Sequence, residues 1–470
     1  MTRVHAFGDD SLGDLDAVGL VGALGRGEIG LKEVVEDAIA RAERVDPALG
    51  AIAYRAYDGA RNAALSPPSG WFAGLPTFLK DMVDVEGQPT MNGSDAYVGR
   101  PAKADGDLVR MVKATGLVSL GRTRMPEWGW SASTEHPRLG SVANPWNTAH
   151  TAGGSSSGSA ALVAAGAVPL AHAMDGGGST RIPASATGLV GLKPTRARLA
   201  QDKTVRSMPI RIVADGVLTR SVRDTAAFYR EAEKAYRNPK LAPIGDLTRP
   251  GTKRLKVAVV TSSAGGRRAD AEVRDLTLAT AALLEELGHH VEEVEPPVPD
   301  FFVTDFLVYW STLANAVART GRLTFGSTWD RSRLEPITRG LSSYSTRNAW
   351  RLPLALVRLR AASAASARFF SQYDVALSPT VSHATPELGH LAADQPFEQL
   401  LERLMDWVAF TPLANATGDP AISLPLAQTA NGMPMGMMFG AGAGREATLI
   451  GLAYELEQAR PFARIQDAPA

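Results

Sequence analysis

Two glycine-serine clusters separated by an apolar run constrain the fold of this chain more than any other feature. They lie in HTAGGSSSGSAALVAAGAVPLAHAMDGGGSTRIPAS, residues 150–185 of 470. Glycine and serine alone would suit a flexible linker, but a linker does not need the apolar run from Ala160 to Met174. That run predicts a buried helix followed by a buried strand. The two clusters are therefore expected to be loops at the ends of packed elements.

The rest of the chain alternates between strand and helix patterns. RLKVAVVTSS predicts a strand, AEVRDLTLATAALLEELG a helix, and HHVEEVEP a second strand. A strand–helix–strand unit favours α/β architecture. Residues 11–46 predict two helices around a glycine-rich break, with the second helix ending before Pro47, and residues 301–372 are predicted to be mostly helical. We find no repeat and no linker, so one α/β domain over residues 1–470 is the simplest interpretation.

Charge and composition exclude several classes of function. Lys+Arg and Asp+Glu both count 49, so no basic surplus indicates a nucleic acid or an anionic membrane as partner. Cysteine is absent, which excludes disulfides, thiolate metal sites and a cysteine nucleophile. The N-terminus carries acids where a signal peptide needs an apolar core, and the apolar run after Ala160 is too short to span a bilayer. We expect a soluble, cytoplasmic protein.

The first cluster contains a G-x-S-x-G match with Ser156 at its centre. In α/β-hydrolases this nucleophile elbow directly follows a strand. Here NPWNTAHTAGG precedes the serine, and its proline, asparagine and paired glycines predict a loop. A classical triad also needs a histidine base, and His172, which lies in an apolar strand, is interpreted as a packed core residue. The context therefore argues against Ser156 as the nucleophile.

The second cluster, DGGGS, spans residues 175–179 and follows the predicted strand directly. Three glycines allow a tight turn that points successive N–H groups into one cavity. A serine at the end of such a loop would attack a carbonyl group beside the N–H groups that stabilise the resulting oxyanion. A plain glycine turn is the alternative, and the loop alone does not decide between the two.

Longer segments resemble one enzyme family. GGSSSGSAALVAAGAVPLAHAMDGGGSTRIPASATGLVGLKPT is similar to the signature of the amidase signature serine hydrolases. GLPTFLKDMVDVEG, NPWN, GVLTRSVRD and TPLANATGDPAISLP match further family segments, so the resemblance covers nearly the whole chain. It is strongest to actinobacterial amidases and to the branch that opens nylon-oligomer cyclic dimers, and aryl acylamidases and urethanases belong to the same broad family. The resemblance implies a central mixed β-sheet covered by helices on both faces, with the signature core at about residues 70–225.

The resemblance also implies a Ser–cisSer–Lys triad. Matched position by position, Lys80 is the base, Ser155 the proton relay and Ser179 the nucleophile. A serine hydroxyl is a weak nucleophile until its proton is removed. Burial would keep the amine of Lys80 neutral and able to accept that proton. The spacer between the two clusters would then bring both serine loops to one site.

The same resemblance implies the remaining roles around the triad. The backbone N–H groups expected to form the oxyanion hole are those of Gly176, Gly177, Gly178 and Ser179. The residues expected to support the two loops are Gly154, Ser156, Asp175 and Arg181, with a cis peptide bond between Gly154 and Ser155. The chain departs from the common family pattern at Met82, Ser157, Met174, Gly176 and Thr180, which affects the shape of the site and not the reaction class.

Two tryptophans fall at family pocket positions. Trp130 in PEWGW and Trp310 in FLVYWS would form a flat apolar wall that suits aryl or long alkyl groups, although core packing is the alternative for both. We predict hydrolysis of small neutral amides, and of carbamates or esters as well, by a monomer or homodimer without cofactor or metal. A glutaminase subunit of an amidotransferase and a non-catalytic family member that only binds ligands are the alternatives.

Overall fold

The fold is known from a computed structural model that describes residues 2–467. These residues form fifteen α-helices and fifteen β-strands joined by short loops and four 3₁₀ turns. The first part of the chain contains α1 (Ala17–Arg26), α2 (Leu31–Leu49), β1 (Ile52–Arg55), α3 (Tyr57–Leu65), β2 (Pro76–Lys80), α4 (Asp107–Ala114), β3 (Val118–Thr123), a 3₁₀ turn (Glu127–Gly129), β4 (Glu135–His136), β5 (Gly140–Ser141), β6 (Ala143–Asn144) and β7 (Asn147–Thr151).

The middle of the chain holds the two glycine-serine clusters and the strand–helix–strand unit. Its elements are α5 (Ser157–Ala164), β8 (Leu170–Asp175), α6 (Arg181–Thr187), β9 (Val190–Lys193), α7 (Lys203–Arg206), β10 (Ala214–Thr219), α8 (Val222–Ala235), β11 (Lys256–Val259), α9 (Ala271–Glu286) and β12 (His290–Glu293). The predicted helix and strand between the clusters are α5 and β8.

The last part begins with the helical region and returns to the sheet. It contains α10 (Phe301–Phe325), 3₁₀ turns at Gly326–Thr328 and Arg331–Arg333, α11 (Pro336–Arg347), a 3₁₀ turn (Ala349–Arg351), α12 (Leu352–Phe369), β13 (Val375–Pro379), α13 (Phe397–Trp407), α14 (Pro412–Thr417), β14 (Ala421–Gln428), β15 (Pro434–Ala441) and α15 (Glu446–Ala459).

A mixed eight-stranded sheet forms the centre of the molecule. Its strand order is β12-β11-β13-β15-β14-β9-β10-β8. Strand β11 pairs in parallel with β12 and β13, and the remaining pairs are antiparallel. Helices pack on the sheet in two groups, α5 with α6 and α8 with α15. The predicted α/β class with a large mixed sheet is confirmed.

A second, three-stranded sheet carries the predicted base. Its order is β1-β3-β2, and Lys80 is the last residue of β2. All five residues of β2 are buried. The hydroxyl of Thr77 donates to the carbonyl oxygen of Leu170 at 2.9 Å, which joins β2 to the edge strand β8 of the large sheet. This bond joins the beginnings of the two strands. Near their last residues, Lys80 Nζ donates to the carbonyl oxygen of Met174, and the site lies at that end.

The second helix runs past the point where the sequence predicted its end. Pro47 lies inside the last turn of α2, which continues to Leu49 and is closed by Gly50 in the left-handed conformation. Proline lacks one N–H group, so in the last turn it costs one helical hydrogen bond without stopping the helix. Glycine at the position after the helix is the common termination signal.

Helix α10 belongs to an apolar segment that is longer than the run from Ala160 to Met174. The stretch Phe301–Thr328 is long and apolar enough to cross a membrane, which residues 160–174 are not. Half of its most apolar part is buried inside the protein. Phe302, Phe306 and Tyr309 pack in a hydrophobic cluster with Ile210 and Ile212. The apolar character of α10 is thus used at least in part for packing within the protein.

Candidate active site

The amine of Lys80 lies in a buried polar pocket between the two serine loops. Its Nζ atom is 2.7 Å from Ser155 Oγ, 3.1 Å from Ser156 Oγ and 3.2 Å from the carbonyl oxygen of Met174. The side chain is only 1% exposed. Its position follows from β2, which ends at this residue, and from β8, which supplies the carbonyl group. Lys80 is therefore held by three oxygen atoms and shielded from solvent.

Burial changes the protonation of this lysine. Desolvation lowers the pKa of Lys80 to about 7, and the nearby carboxylates of Asp175 and Asp215 oppose that shift. An exposed lysine titrates about three units higher. Near neutral pH a large share of the molecules therefore carries a neutral amine, which can accept a proton.

The first serine loop places Ser155 directly on that amine. The peptide bond between Gly154 and Ser155 is cis, as the family resemblance implied. The backbone of Gly129 lies so close to the hydroxyl of Ser155 that a Cβ atom at position 129 would be only 3.0 Å from Ser155 Oγ. Gly129 also has a φ of +75°, which favours glycine. The 3₁₀ turn Glu127–Gly129 thus packs against one side of the first serine loop.

The second serine loop is braced by one buried ion pair. Asp175 accepts hydrogen bonds from Arg181 Nε and Nη2, both at 3.0 Å. Burial alone would raise the pKa of the Asp175 carboxyl, but the charge and hydrogen bonds of Arg181 outweigh it and hold that pKa well below its usual range. Arg181 also donates to the carbonyl oxygen of Thr411 at 2.9 Å and to Asn415 Oδ1 at 2.7 Å. The loop is therefore tied to α14 and its preceding turn.

The expectation for Gly178 needs correction. Its N–H group donates to Asp175 Oδ1 at 2.7 Å, so this donor is already used inside the loop. The N–H groups of Gly176, Gly177 and Ser179 have no hydrogen-bond partner among residues 2–467. Three of the four predicted donors remain available to an oxyanion. The sequence did not predict that the Asp175 side chain would accept a hydrogen bond from the N–H group of Gly178.

Ser179 faces open space and not a protein partner. The residue is partly exposed, and its hydroxyl makes no hydrogen bond within the described part of the chain. Its carbonyl oxygen accepts the N–H group of Ser156 at 3.3 Å, so the two serine loops are joined by backbone. The structure thus brings Lys80 and Ser155 into contact, and it places Ser179 in the adjoining loop without a side-chain hydrogen bond to Ser155.

Ser156 contacts the base as well as its own loop. Besides its 3.1 Å contact with Lys80 Nζ, its Oγ atom accepts the N–H group of Met174 at 3.3 Å. The sequence predicted only loop support for this residue. Its hydroxyl in fact links the lysine to strand β8.

All three predicted catalytic side chains border one cavity of about 1330 Å³. Trp130 and Trp310 also line it, with ring centroids 5.9 Å apart in an edge-to-face arrangement. Trp130 is 8% exposed. The two indoles therefore both pack together and face the cavity, so pocket wall and core packing are not exclusive alternatives here.

Other aromatic residues of the cavity were missed by sequence reasoning. Phe306 lies beside the glycine loop, since a Cβ atom at Gly177 would be 3.9 Å from its ring. Tyr97 stacks on Phe325 at a centroid distance of 4.1 Å, and Trp128 packs against both rings. These residues come from distant parts of the chain. Only Trp128 carried a signal, as a neighbour of Trp130 in PEWGW.

The family follows from comparison with known proteins. The amidase family model matches residues 33–450. The chain belongs to the amidase signature family. The predicted family is thus confirmed, and the chain is an amidase.

Relatives of this amidase agree over nearly the full length. It is 60% identical over 467 residues to "Putative amidase AmiC" of Mycobacterium leprae, with 99% of each chain covered. The solved structure of a 6-aminohexanoate cyclic dimer hydrolase complexed with substrate has a TM-score of 0.86 at 30% identity, covering 97% of this chain and 98% of that one. A bacterial aryl acylamidase structure has a TM-score of 0.84 at 26% identity, with 97% and 99% covered. Both branches suggested by the sequence are represented.

Proposed function

We propose that this amidase hydrolyses small neutral amides with apolar or aryl groups through an acyl-enzyme on Ser179. Ser155 relays the proton of the nucleophile to Lys80. The observation that carries the proposal is the 2.7 Å contact between Lys80 Nζ and Ser155 Oγ at the wall of the cavity that Ser179 borders. A buried amine with a pKa of about 7 is suited to this work near neutral pH.

The acylation step uses the two serines in sequence. Ser179 Oγ attacks the amide carbon while its proton passes to Ser155 Oγ, and Ser155 passes its own proton to the neutral amine of Lys80. The carbonyl oxygen becomes an oxyanion, which the free N–H groups of Gly176, Gly177 and Ser179 are placed to stabilise. One such donor contributes on the order of 3 kcal/mol to the transition state.

The leaving group receives the same proton back. Collapse of the tetrahedral intermediate breaks the C–N bond, and the Lys80 ammonium returns a proton through Ser155 to the departing amine. An amine leaves poorly without protonation, so this return is essential for amides. Water then attacks the ester on Ser179 by the same relay, which releases the acid and restores the serine.

The walls of the cavity favour apolar groups on the substrate. Trp130, Trp310 and Phe306 present aromatic surface next to the reacting groups, and aromatic side chains bury apolar ligand surface efficiently. Aryl carbamates and esters present a similar carbonyl group to the same machinery, so we include them among the substrates. Location in the cytoplasm and a monomeric or homodimeric state remain predictions.

We expect acetanilide and an aryl carbamate to be hydrolysed with higher kcat/KM than hexanamide, and a glutaminyl amide to be the poorest of the four. The reason is the aromatic surface that Trp130 and Trp310 offer to an aryl group. Initial rates on the four substrates with the purified protein measure the preference. A preference for the glutaminyl amide would contradict the proposal and favour the glutaminase alternative.

The W130L variant tests whether the tryptophan wall causes this preference. The ratio of kcat/KM between acetanilide and hexanamide should fall by about fivefold, because an aromatic contact of this kind is worth on the order of 1 kcal/mol. W350L is the matched control, since Trp350 is 78% exposed and does not line the cavity. An unchanged ratio in W130L would show that the wall does not select the substrate.

A further inference from the structure

A histidine and an aspartate behind Lys80 form a buried pair that the proposed reaction does not use. His172 on β8 and Asp215 on β10 are 1% and 3% exposed. His172 Nε2 is 3.1 Å from Asp215 Oδ1. On the other side of the ring, His172 Nδ1 accepts the backbone N–H group of Lys80 at 3.3 Å. The ring thus connects the large sheet to the main chain of the base.

The two contacts fix the tautomer of the histidine. A backbone N–H group can only donate, so Nδ1 carries no proton, and Nε2 carries the proton that it donates to Asp215. The ring is therefore neutral, and it donates this hydrogen bond to the Asp215 carboxyl group. The histidine therefore adds no charge to the site, and it lies between the carboxyl group of Asp215 and the backbone of Lys80.

We propose that His172 and Asp215 are positioning residues for Lys80: the histidine holds the end of β2 in register with the serine loops, and the aspartate supplies a fixed negative charge to the amine. This inference rests on the proposed function, in which Lys80 is the base. The register supports it, because Asp215 lies opposite Met174, and the carbonyl group of Met174 accepts from Lys80 Nζ.

The charges around Lys80 show what Asp215 contributes. Burial lowers the pKa of the amine, while the Asp175 and Asp215 carboxylates raise it. Arg181 pairs with Asp175 and offsets part of its charge. The neighbouring residue Asp81 lies 3.5 Å from Arg122 on β3. No salt bridge joins Asp215 to a lysine or arginine among residues 2–467, and its hydrogen-bond partner, His172, is neutral. The charge of Asp215 is therefore not offset by a paired cation, and it raises the pKa of Lys80.

The D215N variant separates this charge from the shape of the pair. The amide oxygen of D215N can still accept the proton on His172 Nε2, but the negative charge is gone. The pKa of Lys80 should therefore fall, and the acidic limb of the kcat/KM profile should move to lower pH by on the order of half a unit. A structural role alone would leave this limb in place.

D224N is the matched control. Asp224 is also a fully buried carboxyl group, and burial raises its pKa to about 7. It accepts hydrogen bonds from the backbone of α1 at Ala17 and Val18, and it is not among the groups whose charge shifts the pKa of Lys80. The acidic limb of D224N should coincide with that of the wild type. An acidic limb of D215N at the wild-type pH, in a protein with an unchanged melting temperature, overturns the role of the charge.

Two histidine variants test the anchoring of the main chain. H172N places an amide oxygen near the position of Nδ1 and can still accept from the N–H group of Lys80, whereas H172L cannot. We expect H172L to lose at least tenfold in kcat with little change in KM, and H172N to recover part of that loss. If folded H172L retains the wild-type kcat, the anchoring role is overturned.

The outcomes also distinguish this inference from the proposed function. If the proposed function fails, S179A keeps its activity, or the wild type shows no acidic limb near pH 7. Either result is independent of the variants at residues 172 and 215. If only the inference fails, S179A is inactive and the wild type shows the limb, but D215N does not move it. Circular dichroism melting curves for each variant show that the compared proteins are folded.

Discussion

The S179A variant is expected to lose on the order of 10⁴-fold or more in kcat/KM on an amide substrate, because no other group in the loop can form the acyl-enzyme. The Ser179 hydroxyl makes no hydrogen bond within the described protein, so its removal should leave the melting temperature nearly unchanged. Steady-state kinetics on acetanilide measure the loss.

The S156A variant is the matched control for this result. Ser156 is one position from Ser155 and fits the elbow motif, but its hydroxyl contacts Lys80 Nζ and the backbone of Met174. Loss of a neutral hydrogen bond of this kind costs on the order of 1 kcal/mol, so we expect the S156A variant to lose only about fivefold in kcat/KM. Equal losses in the two variants, or a greater loss in S156A, would contradict the assignment of the nucleophile.

The K80M variant is expected to lose on the order of 10³-fold in kcat, the scale of a missing general base. Methionine has a similar length and is apolar, so it fills the buried site without the desolvation cost of an amine. The three oxygen atoms that contact Nζ lose that hydrogen bond, and because the two effects oppose each other we expect a small change in melting temperature. Since only the neutral amine accepts a proton, wild-type kcat/KM should increase with pH through about 7 and then level off. The residual activity of K80M should lack this rise.

The chain provides a matched control in a second buried lysine. Lys193 at the end of β9 is also 1% exposed, and burial likewise lowers its pKa to about 7. Its Nζ atom donates to the carbonyl oxygen of Pro194 at 2.8 Å and does not border the cavity. K193M should therefore keep kcat within about tenfold and retain the pH dependence. If K80M keeps wild-type activity, Lys80 is not the base.

The sequence predicted the elements around the site because their signals are local. The apolar run between the glycine-serine clusters predicted α5 and β8. The loop predicted for NPWNTAHTAGG was wrong in part, because Asn147–Thr151 form β7. Four residues still separate the end of β7 from Ser156, whereas the nucleophile elbow directly follows its strand. The pairing of Lys80 with Ser155 came from the family resemblance and not from spacing, since residues 75 positions apart meet only through the packing of β2 on β8.

Other features depended on contacts that no local pattern encodes. The hydrogen bond from Gly178 to Asp175 removed one predicted oxyanion donor. His172 was correctly placed in the core, but its bonds to Asp215 and to the backbone of Lys80 required three strands from two sheets. The one available signal for this pair was the polar ring of His172 in an apolar strand, two residues before Met174. The predicted end of α2 before Pro47 was wrong, because proline is tolerated in the final turn of a helix.

Fluorophosphonate labelling tests the central claim most directly. The reagent reacts with an activated serine, and peptide mass mapping identifies the modified residue. We expect one adduct per folded molecule, on Ser179, with labelling strongly slowed in K80M and unaffected in K193M. An adduct on Ser156, or no adduct on the intact folded protein, would contradict a Ser179 nucleophile activated by Lys80.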